Sequence, residues 1–214
     1  FTAYLQLLEF GVPTALTRML SNSKFSNNDS TYSAYFFLCF AFLSIIALLL
    51  CLFSTSIASL FLDIFDISDE SLLIPILFAI IATALCLPFR CGLGVLMSKQ
   101  LFFIHLWIEI LIIISKIVII AILYSYEKLS FVNLVYIYYS SFFIIYLLQY
   151  IYALRYVKFP SVFLIMSSLR HTYRKTFSLC AAVLLVTASA TLLRQGSPFL
   201  LGIIEGSSEN ISVF

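Results

Sequence analysis

The sequence predicts an all-α fold: a polytopic transmembrane helix bundle, partial, with about six membrane-spanning helices. Three observations predict it. Hydrophobic residues make up 63% of the 214, mean hydropathy is +1.10 and only 10% of residues are charged, which is not the usage of a water-soluble domain. The apolar residues come in long stretches, most of them close to or beyond the ~20 residues that cross a hydrocarbon core. The few charges gather between those stretches, and their sign alternates from one connection to the next.

Taken in order, residues 1–17 form an apolar stretch broken only by Glu9, and residues 32–62, 71–89, 129–154 and 176–193 contain no Asp, Glu, Lys or Arg. Residues 100–126 are interrupted only by Glu109 and Lys116. Runs this long must be helical, because a lipid-embedded barrel strand would show patches of about ten residues with period two. The first stretch has neither a basic flank ahead of it nor a small-residue cleavage site behind it, so it reads as part of a membrane helix rather than as a secretory leader.

Alternate connections set the orientation. Residues 18–31, 98–100 and 155–175 carry Arg18, Lys24, Lys99, Arg155, Lys158, Arg170, Arg174 and Lys175 against Asp29 alone, and are assigned to the cytoplasm. Residues 63–71, 126–129 and 205–214 carry Asp63, Asp66, Asp69, Glu70, Glu127, Glu205 and Glu209 against Lys128, and face outward. The first helix then runs outside to inside, so a cytoplasmic N-terminus would require one more helix upstream. The basic connection 155–175, with Phe163, Leu164, Met166 and Leu169 between its charges, reads either as an amphipathic helix on an anionic inner leaflet or as a positive-inside signal joined to a linker.

The remaining information lies in polar residues inside apolar spans, where a charge costs at least ~2.5 to 3.5 kcal/mol on insertion scales. His105, Glu109 and Lys116 are separated by four and seven residues, so they form one stripe of their helix. Cys180, Thr187, Thr191 and Arg194 repeat that spacing in the last helix. Either the two stripes border a cavity, or Glu109 neutralises Lys116 or Arg194 as a structural pair and Thr187 and Thr191 bond back to their own helix. Arg90 follows Pro88 and precedes Gly92 and Gly94; it either lines the inner half of a cavity or snorkels toward the inner surface. The span from 129 to 156 carries seven tyrosines, of which Tyr139, Tyr146 and Tyr150 share a face; such rings suit sugar contact and equally suit the membrane interface. Five cysteines lie in apolar segments without metal-ligand spacing and read as small buried hydrophobes. No nucleophile elbow, phosphate loop or H-E-x-x-H occurs, so the chain reads as no enzyme, with neither metal nor cofactor and no nucleic-acid partner.

The run from Tyr4 to Arg18, YLQLLEFGVPTALTR, resembles the signature of bacterial polysaccharide and O-antigen flippases of the multidrug/oligosaccharidyl-lipid/polysaccharide exporter superfamily, with Glu9, Gly11, Ala15 and Arg18 at the motif positions. IFDISDESLLIPILFAIIATALCLPFRCGLGVLMSKQLFF is similar to that family's outer loop, fourth helix and inner hairpin, and LLRQGSPFLLGIIEGSSENISVF to its seventh helix and exit. Two departures stand out. The family often has Asp where Glu9 stands, and often an Asp in the seventh helix where the neighbourhood of Arg194 is basic.

The resemblance implies that residues 1–156 are most of an N-lobe, 157–175 an interlobe linker on the cytoplasmic side, and 176–214 the first C-lobe helix with the outer loop after it. It implies transport of an undecaprenyl-pyrophosphate-linked oligosaccharide from the inner to the outer leaflet of a bacterial cytoplasmic membrane, with a glycan polymerase and a chain-length regulator as partners. On that reading Arg90, Lys116 and Arg194 line a cationic cavity for pyrophosphate, and His105, Glu109, Thr187 and Thr191 tune it or carry a coupling proton. A cation-coupled drug antiporter of the same superfamily would need net acid in its spans, and a membrane-embedded polymerase or acyltransferase would need a large external loop or a catalytic constellation.

Overall fold

The computed structural model describes residues 11–25, 29–64, 72–128, 130–157, 173–174, 176–186 and 189. Glu9, Thr187, Thr191, Arg194 and most of the 157–175 connection lie outside the described residues. The described residues form seven helices and no strand. They are α1 (Val12–Phe25), α2 (Asp29–Leu52), α3 (Ser54–Ile64), α4 (Leu73–Ser98), α5 (Phe102–Ser125), α6 (Phe131–Ala153) and α7 (Thr176–Val186). Four of these helices are long and apolar enough to cross a membrane, with mean hydropathies of 1.7 to 2.8 in their most apolar windows, so the chain is a membrane protein with an all-α bundle architecture.

Local chemistry starts and stops the elements. Gly11 has φ +64, and its carbonyl accepts the Ala15 N–H at 3.0 Å, so it caps α1; Pro13 falls in the first turn, where a missing N–H does no harm. The α4–α5 and α5–α6 hairpins close with the same device. Leu101 N–H reaches the Leu96 carbonyl at 2.9 Å and Gln100 N–H the Met97 carbonyl at 3.0 Å, with Gln100 at φ 61. Lys128 N–H reaches Leu123 at 3.0 Å and Glu127 N–H reaches Tyr124 at 3.1 Å, with Glu127 at φ 54. Both are Schellman endings with a non-glycine residue in the left-handed position. Ser130 then caps α6, its Oγ accepting the Asn133 N–H at 3.2 Å.

The charge-free stretch 32–62 is not one continuous span. A single helix over 29–64 would be about 54 Å long, against a hydrocarbon core of about 30 Å. The helix breaks at Phe53, where the buried Ser54 hydroxyl bonds back to the Cys51 carbonyl at 2.8 Å, and α3 continues against α4.

At the centre stands α4, packed against α1, α2, α3, α5 and α6. Small residues permit the closest approaches, as expected where lipid rather than water surrounds the bundle. A Cβ at Gly92 would stand 2.5 Å from Tyr150 Cα, so α4 and α6 cross backbone to backbone; one at Gly94 would lie 3.0 Å from the Pro13 carbonyl. The Thr17 hydroxyl points to the carbonyls of both Pro13 and Gly94, at 2.9 and 3.3 Å, tying α1 to α4. Around these contacts Leu16, Leu20, Phe36, Leu43, Leu87, Val95 and Leu96 form the core. Cys39, Cys86, Cys91 and Cys180 are buried and Cys51 half-buried, as small apolar side chains would be.

The described part of 176–214 belongs to the same core. Cys180 is buried with Cys39 and Cys91, Phe177 sets its edge on Phe42 at 5.4 Å between ring centroids, and a Cβ on Gly11 would meet Val183 Cγ1 at 2.5 Å. At the opposite extreme, α5 has no buried residue and turns Leu111, Ile114, Ile117 and Val118 outward.

Candidate functional site

Polar groups meet inside the membrane where α4, α5 and α6 come together. Arg90, eight residues before the end of α4, lies about 12 Å inside the α4–α5 turn. Its Nη2 donates to the Tyr146 hydroxyl at 2.6 Å, and its Cζ stands 4.5 Å from the centroid of the same ring. The guanidinium is thus held by both a charge-assisted hydrogen bond and a cation–π contact between two helices, rather than running along the helix toward the surface.

One turn further along α6, Gln149 is fully buried and its Nε2 lies 2.8 Å from His105 Nδ1. On the other side of the imidazole, Nε2 is 3.7 Å from Glu109 Oε1. With Gln149 donating to Nδ1, the His105 proton is assigned to Nε2, facing the carboxylate. Gln149 Oε1 is buried with no hydrogen-bond partner among the described residues.

The other singled-out residues are distributed over the bundle. Lys116 Nζ lies 5.0 Å from the Tyr138 ring centroid. Tyr138 precedes Tyr146 by eight residues, about 12 Å along α6, so Lys116 and Arg90 occupy different depths. The three tyrosines that share a face of α6 meet three different surroundings. Tyr146 holds Arg90, and Tyr150 packs against Phe36, Phe40 and Phe89 with centroids 6.1, 5.5 and 5.2 Å away. Tyr139 borders an apolar cavity of about 250 Å³ near the N-terminal end of α6, with Phe61, Pro75, Ala79 and Val135.

A larger and more polar space opens between the C-terminal half of α1 and the first turns of α7. This cleft of about 680 Å³ is lined by Thr17, Arg18, Ser21, Asn22, Ser178 and Leu179, with Arg18 exposed. Among the described residues no group of three His, Cys, Asp or Glu could hold a metal.

No protein-family model, curated protein or solved structure matches this chain.

Sequence reasoning did not single out Gln149 as a site residue, although a signal for it exists. In an antiparallel hairpin, positions equidistant from the turn meet. His105 and Gln149 stand 22 residues before and after Glu127, and Lys116 and Tyr138 stand 11 before and after it. The cleft at Arg18 carries no such signal, because its walls are 160 residues apart in sequence, as Arg18 and Ser178 are.

Proposed function

We propose that this chain is part of a flippase that moves an undecaprenyl-pyrophosphate-linked oligosaccharide from the inner to the outer leaflet of a bacterial cytoplasmic membrane. The observation that carries the reading is the cleft between α1 and α7, lined by the motif arginine, Arg18, which the charge pattern of the connections assigns to the cytoplasmic side. A guanidinium offers pyrophosphate oxygens a planar fork of donors, and Ser21, Asn22 and Ser178 add neutral hydrogen-bonding groups of the kind a sugar hydroxyl accepts. The cleft faces the leaflet from which such a substrate starts, while the apolar exterior of the bundle leaves a prenyl chain in lipid. Arg90, deeper between α4 and α6, adds a second guanidinium farther along the path.

Basic groups in the spans, Arg90 and Lys116 with Arg194 beyond the described residues, favour an anionic substrate over the organic cations of a drug antiporter. In a strain lacking its own flippase, the intact protein carrying Arg18→Ala should export at least tenfold less surface polysaccharide at normal membrane levels. Arg18→Lys should restore part of it, because the charge returns without the fork. Wild-type export by Arg18→Ala would overturn the assignment of the cleft.

A further inference from the structure

We propose that His105 is a proton-binding site inside the membrane, with Glu109 and Gln149 as the two groups that accept its N–H bonds when it is charged, so that proton binding latches α5 to α6. The site is built from three adjoining side chains: Glu109 Oε1 at 3.7 Å from His105 Nε2, and the Gln149 amide at 2.8 Å from Nδ1. In the neutral state the Gln149 amide nitrogen donates to the Nδ1 lone pair, and Gln149 Oε1 is left buried and without a donor among the described residues. On the neutral ring, a proton taken up from the aqueous phase binds at that Nδ1 lone pair. The imidazolium is then a donor at both nitrogens. Rotation of the Gln149 amide by half a turn brings Oε1 to Nδ1–H, and the carboxylate of Glu109 balances the new charge at Nε2–H. The contact between α5 and α6 thereby changes from a neutral to a charge-assisted hydrogen bond at Nδ1, while the Glu109 pair at Nε2 stays within α5.

The surroundings of the site are mixed in charge. On α6 Tyr146 stands three residues before Gln149, and from α4 Arg90 donates to its hydroxyl; on α5 itself Lys116 is seven residues past Glu109, about 10 Å along the axis, and is turned to Tyr138. Two cations thus oppose a further positive charge, and Glu109 is the described carboxylate that offsets it. The ring is placed to exchange with water, since His105 lies only four residues, about 6 Å, inside the cytoplasmic turn at Leu101, and the Glu109 side chain is 36% exposed. An alkali cation would find one carboxylate and one amide oxygen beside a basic ring, which is a poor oxygen shell. A proton fits the same groups well.

The role of this site as a transport coupling rests on the flippase reading; the binding of the proton does not. The test uses the intact protein in lipid nanodiscs, labelled with 15N in histidine and in glutamine side-chain amides, followed by NMR between about pH 5 and pH 8. The histidine signal lost in His105→Gln identifies the residue. It should show the Nε2–H tautomer at the alkaline end and the imidazolium at the acid end, and the amide signal lost in Gln149→Met should move in step with it. In Glu109→Gln the concerted response should be lost, and in Gln149→Met the alkaline form should become a mixture of tautomers. A His105 signal that keeps one form across the range, or a Gln149 amide that does not respond when His105 changes, would overturn the proposal. No substrate enters this measurement, so its failure leaves the export reading standing, and loss of that reading leaves the proton site standing.

Discussion

Two glycines in α4 show how much a single missing carbon decides. At Gly92 the nearest atoms to an added Cβ are backbone, Tyr150 Cα at 2.5 Å and Tyr150 N at 2.8 Å, and backbone cannot turn aside. At Gly94 two of the three nearest atoms belong to the Leu16 side chain, at 3.1 and 3.3 Å, which can shift, although the Pro13 carbonyl stands at 3.0 Å. Gly92→Ala should therefore separate α4 from α6 and destabilise the fold by about 1–3 kcal/mol or more, and Gly94→Ala by less. Thermal unfolding of the purified protein, followed by loss of the monodisperse peak in detergent, would rank the two; an equal effect would contradict the backbone crossing. The same scale separates Tyr146 from Tyr150. Four residues apart on one face, one holds a guanidinium and the other fills an aromatic core, and nothing in their spacing distinguishes them.

At the scale of the element, the hairpin turns carry a local conflict. Gln100 and Glu127 occupy left-handed positions that glycine fills without steric strain, and an L side chain there costs on the order of 1–2 kcal/mol. Both side chains are exposed, and neither takes part in the clusters described above. Glu127→Gly and Gln100→Gly should each raise stability, by about 1 kcal/mol after the greater freedom of the unfolded glycine is counted. A fall in the unfolding temperature of either variant would show that its side chain makes a compensating contact. The α5–α6 turn has a second consequence, since its position fixes which residues of the two helices meet. A one-residue insertion there would turn Gln149 away from His105.

For the whole molecule, the alternation of basic and acidic connections gives an orientation that can be read directly. Gln100 and Glu127 lie at opposite ends of α5, so a cysteine at 100 should react with an impermeant thiol reagent only after the membrane is opened, and one at 127 in intact spheroplasts. The native cysteines are buried or half-buried within apolar helices and should give little background. Labelling of both positions from outside would invert or refute the topology. The outward face of α5, apolar along its length and without a buried residue, fits a helix at the rim of the bundle that meets lipid.

The amino-acid sequence by itself determined the fold class, the approximate places of the spans and the sidedness expected of their connections. These follow from hydropathy and charge summed along a local segment, and lipid leaves the backbone no alternative to helix. It also placed His105 and Glu109 on one stripe, because helical periodicity is local. Only the tertiary structure decided that the 29–64 segment breaks at Phe53, that Arg90 turns to Tyr146, that Gln149 completes the His105 group, and that Arg18 and Ser178 border one cleft. Those outcomes depend on the rotation and axial offset of each helix against its neighbours. Both are set by packing at Gly92, Gly94 and Gly11, between residues far apart in the chain, and no period within one segment encodes them.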